Sequence, residues 1–330
     1  LGPWCVGTRV VVRRRLSGRT GPSGGPALTD LLGILDHWGD RTVTVRAEDG
    51  TSTVIDRTEI VAGKPVPPRP SARPRVSAEE AQHRAVDLWP PLEQRPLGDW
   101  VLRASAGFSA RGNSALLAGE PDRPWEEALG EVRRFYADRA LPTWTQVVDG
   151  SPACSRLEAA GWAPARPGDQ GVAFLVGGVA TARRALRLLL PAPTPAVTTA
   201  DEPDAAWLAQ DRRAVSAGDA AVRVLTGPAA VTFAAVRESG TVLAKGRAAL
   251  STRADVWVGL TDVWVAPDRR RQRLAAAVVG ALLRWGAEQG AATVCLQVRR
   301  DNAGALAFYD RLGLTTHHSY AYLAPLSGGP

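Results

Sequence analysis

The chain has 330 residues, 45% of them apolar and 22% charged, with a formal net charge of +7. That length exceeds one hydrophobic core, so two or three domains are expected, and the composition excludes collagen-like, low-complexity and disulfide-dense classes. No run approaches the ~18 uninterrupted apolar residues of a membrane span; the best candidate, around Leu186–Leu190, ends at Pro191. Val10–Val12 precede Arg13, Arg14 and Arg15, the wrong order for a secretory signal. Cys5, Cys154 and Cys295 are odd in number and far apart, which argues against disulfides and a cysteine-rich metal site. A cytoplasmic protein with reduced thiols and no metal is expected.

The first segment reads as all-β. Thr8–Arg14, Thr42–Ala47 and Thr51–Asp56 alternate and are rich in β-branched residues, and Glu48-Asp49-Gly50 supplies a turn between the last two. Residues 1–64 are expected to form a small SH3-like β-barrel. Residues 1–75 hold twelve Arg or Lys against seven Asp or Glu, so most of the net charge sits here. Such an excess suits nucleic acid, a membrane surface or a phosphorylated ligand, or simply a solvated arginine-rich face. Trp4 and Trp38 are few as stacking platforms for single-stranded nucleic acid. Proline then marks two breaks, a semi-rigid linker over 65–75 and a second interruption at Pro191-Ala192-Pro193-Thr194-Pro195.

The two later segments, 76–190 and 196–330, end alike. A helical pattern over Trp125–Arg139 leads to a strand at Thr143–Val148, a short helix at Ala153–Ala160, and Gly161. The same order recurs as Leu274–Gly290, Thr293–Val298, Ala303–Leu312 and Gly313. The repeat implies two copies of one αβ module.

The chemistry concentrates between Leu260 and Leu314. Leu260-Thr261-Asp262-Val263-Trp264-Val265 is an apolar strand stopped by Ala266-Pro267-Asp268. Arg269-Arg270-Arg271-Gln272-Arg273-Leu274-Ala275 then opens a long helix. Unpaired N–H groups at a helix start, the helix dipole and four neighbouring arginines make a site for a pyrophosphate or similar polyanion.

Val265-Ala266-Pro267, Arg270 and Ala275 resemble motif A of the GNAT (Gcn5-related) N-acetyltransferases. Asn302-Ala303-Gly304-Ala305-Leu306-Ala307-Phe308-Tyr309-Asp310-Arg311-Leu312-Gly313-Leu314 resembles the second signature of that family. The likeness covers about 196–325 and, more weakly, 76–190. The small barrel, a degenerate GNAT-like half and a complete one also resemble an actinobacterial subfamily. The sequence departs from the family where Arg271 and Arg273 replace frequent glycines, which puts close backbone approach to phosphates in question.

The resemblance implies an α/β fold of tandem GNAT modules with mixed sheets behind the barrel. It also implies direct acetyl transfer from acetyl-CoA, as co-substrate, to an amine in a ternary complex. Val263 and Val265 would pair with the pantetheine arm, and Arg270, Arg271, Gln272, Arg273, Leu274 and Ala275 would hold the pyrophosphate. Asn302 would contact the cofactor, and Tyr309 would protonate the leaving thiolate. For the base, His318 shares a strand face with Tyr320 and Tyr322 and has the apt ordinary pKa. Asp262 falls on the face opposite Val263 and Val265. His317 and His318, adjacent on a strand, do not suit a metal, and Cys295 reads as a buried small hydrophobe.

Aligned on Gly161 and Gly313, Tyr309 matches Leu157 and Asn302 matches Gly150. The arginine turn has no counterpart, with Gly119–Trp125 standing near its place, so the first half is expected to bind no acetyl-CoA. Gly107–Ser114, polar and glycine-rich, is either an ordinary loop or a wall of the acceptor cleft. The expected partner is a small-molecule or protein amine; no membrane partner is expected and the oligomeric state is open. The rival reading is a non-catalytic acyl-CoA sensor or nucleic-acid-binding protein acting through the basic barrel.

Overall fold

The computed structural model describes residues 1–21, 24–47, 50–66, 76–190, 193–253 and 255–326. The chain divides into two compact units, Leu1–Pro74 and Arg75–Pro330. Glu48 and Asp49 of the Glu48-Asp49-Gly50 turn, residues 67–75 of the proline run and residues 191–192 of the second break lie outside the described residues.

The first unit is a five-stranded antiparallel sheet in the order β4-β3-β2-β1-β5. Its strands are β1 (Arg9–Thr20), β2 (Pro26–Trp38), β3 (Thr42–Arg46), β4 (Ser52–Asp56) and β5 (Ile60–Pro65). Alternation sends Val10, Val12, Leu35, Val43, Val45 and Ile55 into one small core with Cys5. Strand β2 carries no clean alternation, because Leu31 and Leu32 are adjacent. Its place is set by close pairing instead: a Cβ on Gly33 would stand 2.3 Å from the Arg46 carbonyl oxygen. Arg13 grips Asp30 at 2.8 Å and Arg46 grips Asp36 at 2.7 Å, so part of the basic excess is paired across the strands.

The second unit is built on a twelve-stranded sheet. Helix α1 (Ala78–Leu88), capped by the Ser77 hydroxyl, precedes β6 (Glu93–Leu97), β7 (Trp100–Ala104) and β8 (Ala115–Leu117). Then come α2 (Trp125–Ala137), β9 (Thr145–Val148), α3 (Pro152–Ala159), β10 (Trp162–Pro164), β11 (Val172–Gly178) and α4 (Val179–Leu189). The second half opens with β12 (Thr198–Ala200), α5 (Ala205–Leu208), α6 (Arg212–Ala217) and α7 (Asp219–Thr226). It continues through β13 (Val231–Glu238), β14 (Thr241–Leu250), β15 (Trp257–Val265), α8 (Leu274–Glu288), β16 (Thr293–Arg299), α9 (Ala303–Arg311) and β17 (Thr315–Pro325). The repeated unit of the sequence is visible as α2-β9-α3 and α8-β16-α9. Each copy closes on a glycine in the left-handed region, Gly161 and Gly313, both at φ 77°, where a side chain would be strained.

The sheet runs β12-β13-β14-β15-β16-β11-β17-β9-β8-β7-β6, with β10 also on β17. Strand β11 of the first half therefore lies inside the second, between β16 and β17. Phe174 faces Gln297 on one side and His318 on the other. Strand β17 pairs with β11 through Thr315–Tyr320, then crosses to β9 and β10. Helix α4 follows its strand and buries Ala182 and Leu186 beside Val278, Val279 and Leu282 of α8. The halves read as 76–190 and 196–330 are thus not separate packing units; both belong to Arg75–Pro330.

This exchange predicts that residues 193–330 alone do not fold. Without β11 and α4, β16 loses its antiparallel partner and keeps only the short pairing with β15, and the α8 face is stripped. Circular dichroism should show no cooperative melt for that fragment, and a sharp transition would contradict the interdependence.

Candidate active site

The site begins where two parallel strands part. β15 and β16 pair from Trp257↔Thr293 to Leu260↔Leu296 and no further, although β15 continues to Val265 against β14. The register with β14 slips between Lys245 and Arg247, and Asp262 opposite the slip has φ 53°. This is a bulge, which bends its strand and re-aims a side chain. Past it, the edge of β15 that faces β16 has no strand partner, and a cleft of about 360 Å³ opens between the two.

The bulge sorts the side chains. Val263 and Val265 pack on the α8 side with the main core. Trp264 packs on the other side with Trp207 and Phe108. Asp262 turns to that second face, where it feels the charges of Lys245, Arg247 and Arg213. Asp262 lines the cleft, and its Oδ2 is buried with no hydrogen-bond partner among the described residues.

Beyond β15 the chain turns at Pro267–Arg269 into α8. Arg271 and Arg273 both adopt positive φ, 65° and 63°. These positions keep the left-handed backbone that glycine would take freely, at a cost of about 1 kcal/mol or more each. No side chain caps α8, and its first turn holds no acid. Arg269 is engaged by Glu238 at 2.7 Å, while Arg270, Arg271 and Arg273 stay exposed. The corresponding helix of the first half, α2, opens instead with Glu126 and Glu127, charges that oppose an anion there. In the same half Leu157 is fully buried core.

Of the residues marked in the sequence, Val263, Asn302 and Tyr309 line the cleft together. Val265 and the turn Arg270-Arg271-Gln272-Arg273 lie farther along the same path, outside the cleft itself. Leu274 is a core side chain and Ala275 is half-buried, so either can offer a ligand only its backbone amide. Asn302 caps α9, its Oδ1 accepting from the Ala305 amide at 3.1 Å. The Tyr309 ring is buried in the main core, and burial raises its pKa, so the hydroxyl is protonated at neutral pH. That hydroxyl has no hydrogen-bond partner among the described residues. Cys295 is buried and its thiol is pushed up to about 12, which leaves it inert.

His318 is not brought to the cleft. His318 shares its face with Tyr320, as alternation predicts, and a bulge at His317, seen as a register slip against Phe174 and Leu175, brings that imidazole to the same side; α1 covers both there. His318 stacks on Phe174 at 4.8 Å. Its Nε2 lies 2.8 Å from Gln82 Nε2, and its Nδ1 lies 2.8 Å from His317 Nδ1. Since an amide nitrogen only donates, the tautomers follow. Arg103 donates to Gln146, Gln146 to Gln82, and Gln82 to His318 Nε2. His318 Nδ1–H then donates to His317, and His317 Nε2–H to the Val76 carbonyl. Both nitrogens of His318 are spent, and burial lowers its pKa to about 4, with His317 adding to the effect. It is a structural imidazole, not a base within reach of a substrate.

Sequence reasoning set Asp262 aside because it faces away from Val263 and Val265; the face is as expected, but that face is the far wall of the cleft. From Gly107–Ser114, Ser109, Ala110 and Arg111 reach the cleft. The polarity of that segment was the available signal. Trp89 and Arg213 join them from elements that carry no motif.

A neutral His318 makes acid destabilising. Its folded pKa of about 4 lies below the ordinary 6.5, so its contribution is intact above pH 6.5 and is lost as pH falls toward 4. Urea midpoints of the wild type should drop across that window, and His318→Asn should flatten the drop.

Among protein-family models, the one described as "Probable histone acetyltransferase Rv0428c C-terminal" matches residues 77–323, and "Rv0428c N-terminal Sm-like domain" matches residues 4–64. "Probable histone acetyltransferase Rv0428c" of Mycobacterium tuberculosis (strain ATCC 25618 / H37Rv) is 30% identical, covering 98% of this chain and 97% of its own. "Uncharacterized N-acetyltransferase YobR" of Bacillus subtilis (strain 168) is 25% identical over 71% of this chain and 94% of its own. A solved GCN5-related N-acetyltransferase from Kribbella flavida shares the fold with a TM-score of 0.51 and 18% identity, covering 76% of this chain and 96% of that one. A tandem GNAT protein from the clavulanic acid biosynthesis pathway gives 0.50 and 16%, over 64% of this chain and 74% of that one. Those two likenesses concern the fold alone.

Proposed function

Since the chain belongs to the family of the Rv0428c C-terminal acetyltransferase domain and is an acyltransferase of the GNAT type, we propose that it transfers the acetyl group of acetyl-CoA to a primary amine by direct attack within a ternary complex. The observation that carries the reading is the splayed end of β15 and β16 leading to an uncapped helix flanked by Arg270, Arg271 and Arg273.

The residues suit the co-substrate. The free backbone edge of β15 from Thr261 to Val265 offers donors and acceptors for the amide groups of a pantetheine arm, as an added strand would. The α8 amides and the exposed guanidinium groups suit a pyrophosphate. Bound there, acetyl-CoA supplies the activated acyl group. Tyr309, protonated and without a partner, is suited to give its proton to the departing thiolate, whose acid has an ordinary pKa near 8.5. Asp262, unpartnered at the far wall, is suited to hold the incoming ammonium and accept its proton. The new bond is N–C and the broken bond is C–S.

The mycobacterial relative is named a probable histone acetyltransferase, and an amine of such a protein is one case of a primary amine. Against the reading of the barrel as a nucleic-acid binder, part of its basic charge is paired, Arg13 with Asp30 and Arg46 with Asp36.

Calorimetry with acetyl-CoA tests the anion site. Arg270→Ala with Arg273→Ala should weaken binding about tenfold or more, and equal affinities would remove the arginine turn from the argument. Tyr309→Phe should lower turnover by about a hundredfold with little change in the KM for acetyl-CoA. An unchanged turnover number would exclude it as proton donor.

A further inference from the structure

We infer that the acceptor carries a carboxylate beside its amine, so that the site takes small amino acids or compounds built like them, with Arg111 holding the carboxylate and Asp262 the ammonium. The inference rests on the acetyl-transfer reading above for what then happens to the amine, but the recognition it describes can be measured without any reaction.

Two orphaned charged groups of opposite sign line the one cleft. Asp262 Oδ2 and Arg111 Nε are both buried, and neither has a hydrogen-bond partner. Buried polar groups are nearly always satisfied, so each such exception calls for a partner. Asp262 is held by a strained backbone at a bulge, a device that aims a side chain at the expense of local strain. Arg111 is held by a stiff loop. Asn113 accepts from the Ser105 and Gly107 amides and donates to the Phe108 and Ser109 carbonyls, while the Trp89 indole donates to Ser109. The Arg111 guanidinium lies 5.1 Å from the centre of the Trp89 ring.

The surroundings decide what kind of amine fits. On the same ring, 5.2 Å from its centre, lies Arg247. Arg247 is fully buried and donates only to the Leu225 and Leu88 carbonyls and the Thr261 hydroxyl. Burial draws its pKa down to about 9, so it remains charged at neutral pH. Lys245, also buried, donates to the Trp207 carbonyl. Arg213 is committed to Asp211. The acceptor end therefore holds buried Arg247 and Lys245, opposed by Asp262 and, at Lys245, also by Asp211, while the other carboxylate of the cleft, Asp169, accepts from the Gly171 amide. A simple alkylamine or a polyamine would add positive charge to this end and leave Arg111 unmatched. A zwitterion is neutral in sum and offers each orphan a group of opposite charge, Arg111 through the planar fork that suits a carboxylate.

Calorimetry of the full chain with the proteinogenic L-amino acids and with their carboxamides, in the absence of acetyl-CoA, tests this. At least one free amino acid should bind about tenfold or more tighter than its amide. Arg111→Gln should bring the two within about twofold, and Arg111→Lys should restore part of the gap. If no amino acid binds, if amides bind as well, or if Arg111→Gln leaves the preference intact, the inference is overturned. Thermal melts of the variants show whether they remain folded, and Asp262→Asn, at the other end of the ligand, should weaken amino acid and amide alike. A CoA-release assay on the same panel separates the two readings. Selective binding without release sinks the acetyl-transfer reading and leaves the recognition standing, whereas release with amides but not free acids sinks the recognition and leaves the transfer.

Discussion

The separation of β15 from β16 after Leu260 is the constraint from which the rest of the site follows. Parallel strands held by hydrogen bonds leave no space between them. Here the bulge at Asp262 bends one strand away while β14 keeps hold of its other edge. The single event frees a backbone edge, turns Val263 and Val265 to the α8 side, and delivers Asp262 to the opposite face. A strand that stayed paired to Val265 would have no cleft and no acceptor wall.

An opening of that kind weakens a sheet, and the exchanged strand offsets the weakness. β11 is buried on both faces and ties β16 to β17 along the edge of β16 opposite β15. Long β17 then binds the second half to β9 and β10. Behind it, the chain of donors from Arg103 through Gln146, Gln82, His318 and His317 to the Val76 carbonyl fixes α1 against the sheet. The two imidazoles serve as connectors there, each in one tautomer. The first half thus acts as structure for the second: its own helix start is acidic, and the position matching Tyr309 is Leu157, sealed in a core.

Charge is distributed with the same division of labour. Exposed arginines gather before α8, where a polyanion suits them. On the acceptor face the cations are buried and bonded mostly to carbonyls, with Asp262 set among them. Arg271 and Arg273 add that a turn shaped for glycine can be kept by arginine, since the strain is modest and both side chains point into solvent.

Much of this was readable in the chain. The helix-strand-helix repeats, the glycines that close them, the arginine turn and the Asn302–Gly313 signature are local features. They depend on periodicity and on the order of neighbouring residue types, and these survive folding unchanged. What the tertiary structure decided was long-range. The exchange of β11 places Phe174 beside Gln297 and His318, residues more than a hundred positions away, and no periodicity encodes that choice. His318 keeps the face that alternation assigned it with Tyr320 and Tyr322, but α1 covers that face at His318. A bulge delivered Asp262 to a wall whose importance depends on Arg111 and Trp89, contributed by the other half. Side-chain alternation is a local rule, whereas a bulge is fixed by which strands meet and where their hydrogen bonds run out of register, and only the assembled sheet determines that.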